Sequence, residues 1–136
     1  MKFAIANSMK RVMLLGKDPI FAWALDRMVH PLGYSLEHVF TMSEARIRMR
    51  RFQYDMYFLD GLPEAEIDFF SQHKDPRSVI ILFEDTSQPS SFDACEPSSK
   101  GCGVYSLPKE CEPACIVAFL KKLLAHSQVA NHRPVG

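Results

Sequence analysis

Short apolar runs alternate along the chain with longer segments in which apolar residues recur every three or four positions. A run that is apolar almost throughout is typical of a strand buried on both faces, and the longer spacing is typical of an amphipathic helix. The pattern therefore predicts five strands separated by helices, with the strands at residues 11–15, 35–40, 55–60, 78–83 and 103–107.

Capping residues and prolines indicate where the helices begin. Asp18 and Pro19 provide an N-cap and a first-turn proline for the first helix, which ends near residue 30. Thr41 and Glu44 form a capping box for the second helix, which carries one apolar stripe. Two further helices begin at prolines, at positions 63 and 113.

The segment 84–101 breaks this regularity. Its prolines, serines and terminal glycine leave room for a helix of at most about two turns, centred near Phe92, so the fourth helix is expected to be short or irregular. We expect residues 10–126 to form one folded domain, preceded by an N-terminal extension over residues 1–9 and followed by a flexible tail over residues 127–136.

The alternation of strands and helices predicts an α/β fold in which a doubly wound, five-stranded parallel sheet carries helices on both faces. The carboxyl ends of parallel strands meet at one edge of such a sheet, where ligands bind. We therefore expect the residues that follow the first, third and fifth strands to lie together: Gly16, Lys17, Asp18, Asp60 and Lys109.

Composition narrows the classes of partner. The 136 residues include 16 basic and 16 acidic side chains, so no net charge favours nucleic acid or an anionic membrane surface. No apolar run is long enough to span a bilayer, and the first residues lack the pattern of a signal peptide. These features predict a cytoplasmic protein with neither a nucleic-acid partner nor a membrane partner.

Two groups of residues allow more than one interpretation. The second helix carries Arg46, Arg48, Arg50 and Arg51 on its polar face, which could contact phosphate or an acidic partner, although a solvated helix face is the simpler interpretation. The four cysteines match no zinc-binding spacing. Two of them, Cys111 and Cys115, lie at the start of the last helix, where they either pack in the core or form a reactive pair.

The order of these residues resembles the receiver domain of two-component response regulators, which has a flavodoxin-like fold. The resemblance covers about residues 10–126 and rests on four segments: KDP at 17–19, FLD at 58–60 followed by GLP, LPK at 107–109, and Gly103. It implies that Asp60 occupies the position that accepts a phosphoryl group from a histidine kinase, with Lys109 as the lysine that holds the product. Such a transfer needs a divalent cation.

The residues at the cation-binding positions depart from that family. The two adjacent carboxylates expected after the first strand are replaced by Gly16 and Lys17; glycine supplies no ligand, and the lysine ammonium opposes a cation. We expect no cofactor and no dedicated metal site. Asp18, Glu84 or Asp85 would allow at most weak magnesium binding.

The residues of the family's switch depart as well. The hydroxyl residue expected at the end of the fourth strand is Phe83, although Thr86 follows closely. The aromatic residue expected three positions before the lysine is Ser106, and Tyr105 lies one place too early, so it would face the opposite side of the strand.

The leading hypothesis is a stand-alone atypical receiver, a pseudo-receiver that is not an enzyme and docks on a signalling protein such as a histidine kinase, a sensor or a scaffold. In this hypothesis Asp60 is charge-paired with Lys17 and Lys109, and the partner surface includes Phe92 and Tyr105. Dimerisation through the last helix stays open. The alternatives are a working receiver that is phosphorylated on Asp60, and a thiol redox protein that uses Cys111 and Cys115.

Overall fold

The computed structural model describes residues 10–84, 98–101 and 103–132, and describes side chains for residues 10–84 and 103–125. Its elements in chain order are β1 (Lys10–Leu15), α1 (Pro19–Val29), a 3-10 turn (His30–Leu32), β2 (Tyr34–Val39), α2 (Met42–Arg51), β3 (Met56–Asp60), α3 (Glu64–His73), β4 (Val79–Glu84), β5 (Ser98–Gly101), β6 (Val104–Pro108) and α4 (Pro113–His132).

Within the described residues the sheet has six strands in the order β2-β1-β3-β4-β6-β5. The first five in this order pair in parallel, which confirms the predicted doubly wound parallel sheet. The strand β5 was not predicted; it pairs antiparallel with β6 and forms one edge. Its sequence, SSKG, has no apolar alternation, so only the pairing of its backbone reveals it. The short helix predicted near Phe92 lies outside the described residues.

Apolar side chains alternate between the two faces of the sheet and build one core layer on each face. Phe58 and Phe83 pack with α1 and α4 on the first face. Tyr57 and Leu82 pack with α2 and α3 on the second face. The predicted helices on both faces are therefore confirmed, and the buried strands explain why their sequences are apolar almost throughout.

The predicted helix starts agree with the structure. The backbone N–H of Glu44 donates to Oγ1 of Thr41 at 3.1 Å, which begins α2. The 3-10 turn after α1 ends at Gly33, whose φ of 92° favours glycine. The last helix continues to His132, so residues 127–132, predicted as part of a flexible tail, have helical backbone.

A polar cluster ties β1, β2 and α2 together beside the second core layer. The carboxylate of Glu37 accepts hydrogen bonds from Arg11 at 3.2 Å, from Arg48 at 3.0 Å and from the hydroxyl of Tyr54 at 2.5 Å. Burial, together with the hydrogen bond to Glu37, raises the pKa of Tyr54 to about 12. Arg48 therefore serves the structure of the domain.

No helix in the described part of the chain is long and apolar enough to cross a bilayer.

Candidate functional site

Asp60 is the last residue of β3 and lies at the carboxyl edge of the sheet, as its sequence position predicts. Its side chain is only 10% exposed, and its Oδ2 accepts a hydrogen bond from Nζ of Lys109 at 3.0 Å. The carboxylate lines a cleft of about 700 Å³ whose wall also contains Gly16, Lys17 and Asp18. The structure thus brings together the residues expected at the ends of the first, third and fifth strands.

Lys109 bridges two carboxylates. Besides Asp60, its Nζ contacts Oδ2 of Asp18 at 3.2 Å and lies 5.0 Å from the centre of the Phe21 ring. Partial burial disfavours the ammonium, but the hydrogen bonds to Asp60 and Asp18 outweigh this effect and raise the pKa of Lys109. The lysine is therefore held as a fixed cation between the ends of β1 and β3.

Asp18 is fully engaged as a helix cap. Its Oδ1 accepts the backbone N–H groups of Ile20 and Phe21, each at 3.1 Å, while its Oδ2 contacts Lys109. The hydrogen bond from Phe21, followed by the one from Lys109, lowers the pKa of Asp18. Both oxygens have protein partners, so a cation at this position would compete with the helix cap and with the lysine.

Gly16 approaches Asp60 more closely than a side chain allows. A Cβ atom placed on Gly16 would lie 2.9 Å from Cβ of Asp60 and 3.3 Å from its Oδ2. The carbonyl oxygen of Gly16 lies 2.8 Å from Nε2 of His38, which donates to it. The contact with His38 ties the end of β1 to β2, and any side chain at position 16 would require the side chain of Asp60 to shift.

Lys17 does not pair with Asp60, which corrects the expected pairing. The side chain lies exposed at the rim of the cleft, and among residues 10–84 and 103–125 it forms no ion pair. The physical reason is that Lys109 already compensates the buried carboxylate. An exposed ammonium gains little by leaving water for a carboxylate that has a partner.

The positions of the family's switch are occupied by residues that pack. Phe83 is fully buried beside Asp60 in the strand register, and its ring makes edge contacts with Phe21 at 5.0 Å and Phe58 at 5.5 Å. Tyr105 contacts the ring of Phe119 on α4 at 5.6 Å, and the alternation of β6 directs Ser106 to the opposite face, where it is buried. Thr86 and Phe92 lie outside the described residues.

Glu84 does not join Asp60. It follows Phe83 at the exposed end of β4, so it lies on the other face of the sheet, where it lines a separate depression with Ile67 and Leu82. Asp85 lies outside the described residues. Within the described chain, no group of three or more histidine, cysteine or acidic side chains is placed to hold a metal. Among the described residues, the carboxylates that line the Asp60 cleft belong to Asp18, Asp60 and Glu66, and the first two already bind Lys109.

The two described cysteines take part in packing. Cys111 is buried in the first core layer with Ile116 and Leu120, and Cys115 packs against the same layer from the first turn of α4. Cys111 and Cys115 form no disulfide with each other. Their surroundings match the packing interpretation and give no support to a redox pair.

Two neighbours of the site, His38 and Phe21, were not predicted from the sequence. His38 donates to the carbonyl of Gly16 from the edge strand β2, and Phe21 supports Lys109 from the first turn of α1. A histidine at position 38 or a phenylalanine at position 21 does not by itself predict a contact with the site. Knowledge of the pairing of β1 with β2, in which Leu15 lies opposite Val39, is needed to place His38 near the site.

Comparisons with solved structures show fold similarity to receiver domains, whereas no protein-family model and no curated protein sequence matches. A response regulator from Thermotoga maritima superposes with a TM-score of 0.67 at 16% identity, over 87% of this chain and 99% of that chain. The chemotaxis response regulator CheY4 of Vibrio cholerae superposes with a TM-score of 0.63 at 15% identity, over 85% and 98% of the two chains.

A third similar structure is the receiver domain of the sensor histidine kinase PA1611 from Pseudomonas aeruginosa, in which a magnesium ion is coordinated in the active-site cleft. It superposes with a TM-score of 0.59 at 21% identity, over 85% of this chain and 97% of that chain. Identities this low establish the fold alone. The chain therefore has the CheY-like, flavodoxin-like fold of response-regulator receiver domains.

Proposed function

We propose that this protein is an atypical receiver domain that acts in signal transduction by docking on a partner protein without being phosphorylated. The observation that carries the proposal is the close approach of Gly16 to Asp60. A Cβ atom on residue 16 would lie only 2.9 Å from Cβ of Asp60. A phosphoryl transfer to an aspartate needs a divalent cation to offset the charge of the phosphoryl oxygens. Gly16 has no side chain to bind a cation, and a larger residue at this position would have to displace the side chain of Asp60.

Three further features support the same conclusion. Lys17 contributes a positive charge at the rim of the cleft, Asp18 is occupied as a cap, and Phe83 fills the position of the family's hydroxyl residue. Gly16, Lys17 and Asp18 bear on the cation site and Phe83 bears on the switch, so two independent parts of the phosphorylation mechanism are altered together. What the fold retains are its surfaces, and a domain of this kind would signal through the proteins that it binds.

The alternative of a working phosphoacceptor rests on one observation. Asp60 and Lys109 keep the arrangement in which a lysine can stabilise a phosphorylated carboxylate, with the two groups 3.0 Å apart. This pair is equally compatible with a permanent ion pair, because each charge compensates the other when no phosphate is present. The cation therefore distinguishes the two functions better than the ion pair does.

A magnesium titration of the ¹⁵N-labelled protein tests the proposal. The backbone amides of Gly16 and Gly61 line the Asp60 cleft and report on any cation bound there. We expect millimolar magnesium to leave both resonances unchanged beyond the shifts seen in the Asp60→Asn control variant. A saturable shift of both amides in the wild type, absent from that variant, would contradict the proposal.

A further inference from the structure

A basic groove lies between α2 and α3, on the second face of the sheet. It has a volume of about 230 Å³ and is lined by Arg46, Met49, Arg50, Phe69 and His73. It shares none of these residues with the Asp60 cleft. We propose that this α2–α3 groove is a docking site for a short acidic segment of a partner protein, whose carboxylates bind Arg46 and Arg50.

The charge of the groove is uncompensated within the described structure. Arg46 and Arg50 lie one helical turn apart on the same edge of α2, with side chains about 6 Å from each other at their bases. Among residues 10–84 and 103–125 neither forms an ion pair, whereas Arg48 on the same helix binds Glu37 at 3.0 Å. No acidic side chain lines the groove. Two adjacent cations without a carboxylate are complementary to an anionic ligand.

Aromatic packing holds one of these cations in place. The guanidinium carbon of Arg46 lies 4.6 Å from the centre of the Phe69 ring, and the imidazole of His73 stacks on that ring at 4.2 Å. Phe69 in turn makes an edge contact with the fully buried Phe70 at 5.7 Å. A guanidinium stacked on a ring keeps its in-plane N–H donors available, so it can bind a carboxylate with little further loss of conformational freedom.

The surroundings of the groove favour a protein segment over a longer polyanion. Ile47, beside Arg46 on α2, is a large apolar side chain that is 53% exposed, and it offers a contact for an apolar residue of the segment. The neighbouring helix α3 carries the exposed side chains of Glu64 and Asp68, which would repel an extended chain of phosphates. A short segment with one or two carboxylates satisfies both features.

This inference rests on the proposed docking function and adds a surface and a partner chemistry to it. The probe is a fluorescein-labelled peptide in which one Asp and one Glu flank a single Leu, and its binding is followed by fluorescence anisotropy at low salt. The matched control peptide carries Asn and Gln in place of the acids. A short duplex DNA, added at the same total concentration of anionic charge, serves as the competing polyanion.

The protein variants separate the groove from the general charge of the domain. Arg46→Glu with Arg50→Glu reverses the groove, whereas Lys121→Glu with Lys122→Glu makes the same charge change at exposed positions of α4, across the sheet. We expect the first pair to weaken peptide binding by at least about tenfold and the second pair by no more than about twofold. The neutral pair Arg46→Gln with Arg50→Gln should also weaken peptide binding, and it places no new negative charges on α2.

Several results would overturn the inference: no binding of the acidic peptide by the wild type, equal binding of the amide peptide, equal losses in both charge-reversed variants, or tighter binding of the DNA. Ring resonances of His73 should shift on peptide addition, while those of His38 on the other face should not. A phosphoryl adduct on Asp60 would overturn the proposed function but leave these binding results unchanged, so the two failures are distinguishable.

Discussion

Replacing Lys109 with methionine removes the charge that compensates Asp60 while keeping a side chain of similar length beside Phe21. In the wild type the carboxylate of Asp60 is 10% exposed and Lys109 is 25% exposed. Lys109 is the partner of Asp60 among the described residues, so Lys109→Met leaves a nearly buried negative charge without compensation. We expect this variant to be clearly less stable than the wild type.

The geometry sets the size of the loss. Removing one partner from a fully buried ion pair costs about 3–5 kcal/mol, whereas an exposed pair contributes at most about 1 kcal/mol. The Asp60–Lys109 pair lies between these limits, because its carboxylate is buried and its ammonium is partly hydrated. We therefore expect Lys109→Met to lower the free energy of unfolding by about 2 kcal/mol.

The reverse replacement should cost less. In Asp60→Asn the ammonium of Lys109 keeps Asp18 at 3.2 Å and its contact with water, so we expect a loss below about 1 kcal/mol. The double variant, in which no buried charge remains, should be more stable than Lys109→Met alone. Urea unfolding followed by circular dichroism at neutral pH measures all three. A Lys109→Met variant as stable as the wild type, or a double variant less stable than Lys109→Met, would refute this reasoning.

Gly16→Ala should lower the free energy of unfolding by about 1–3 kcal/mol, because its Cβ would lie 2.9 Å from Cβ of Asp60, and a thermal melt unchanged from the wild type would contradict this. Burial raises the pKa values of Tyr34 and Tyr57 from 10 to about 12. The protonated side chains therefore stabilise the fold below pH 10, and this contribution should be lost between pH 10 and 12. Unfolding curves recorded over this alkaline range would show the loss. Hydrogen bonds from Phe21 and Lys109 lower the pKa of Asp18 below its usual value of 3.8. Above pH 3.8 the wild type should therefore unfold at a higher urea concentration than Asp18→Asn. This difference in urea midpoint should shrink as the pH falls below 3.8.

The sequence predicted the five parallel strands because each is buried on both faces and therefore apolar almost throughout. It could not predict β5, whose four residues are polar or glycine and whose position depends on pairing with β6. It also placed the end of the last helix too early. Beyond residue 124 the apolar spacing of α4 ends, although the helical backbone continues to His132.

The gathering of the site residues was predictable because the carboxyl ends of parallel strands share one edge. The pairing of Asp60 with Lys109 was predicted, but the second contact of Lys109 with Asp18 and the exposure of Lys17 were not, because they depend on distances of a few ångströms. Lys109 reaches both Asp18 and Asp60, whereas Lys17, one residue before Asp18, stays exposed. The close approach of Gly16 to Asp60 likewise depends on how tightly β1 and β3 pair.

Phosphorylation of Asp60 is the most direct test of the central claim that this receiver fold works without a phosphoryl group. The intact mass of the protein is measured after incubation with acetyl phosphate or phosphoramidate, with and without magnesium, and Asp60→Ala serves as the control. We predict no gain of mass in any of these samples. A magnesium-dependent gain of one phosphoryl group in the wild type, lost in Asp60→Ala, would contradict the claim and identify a working phosphoacceptor.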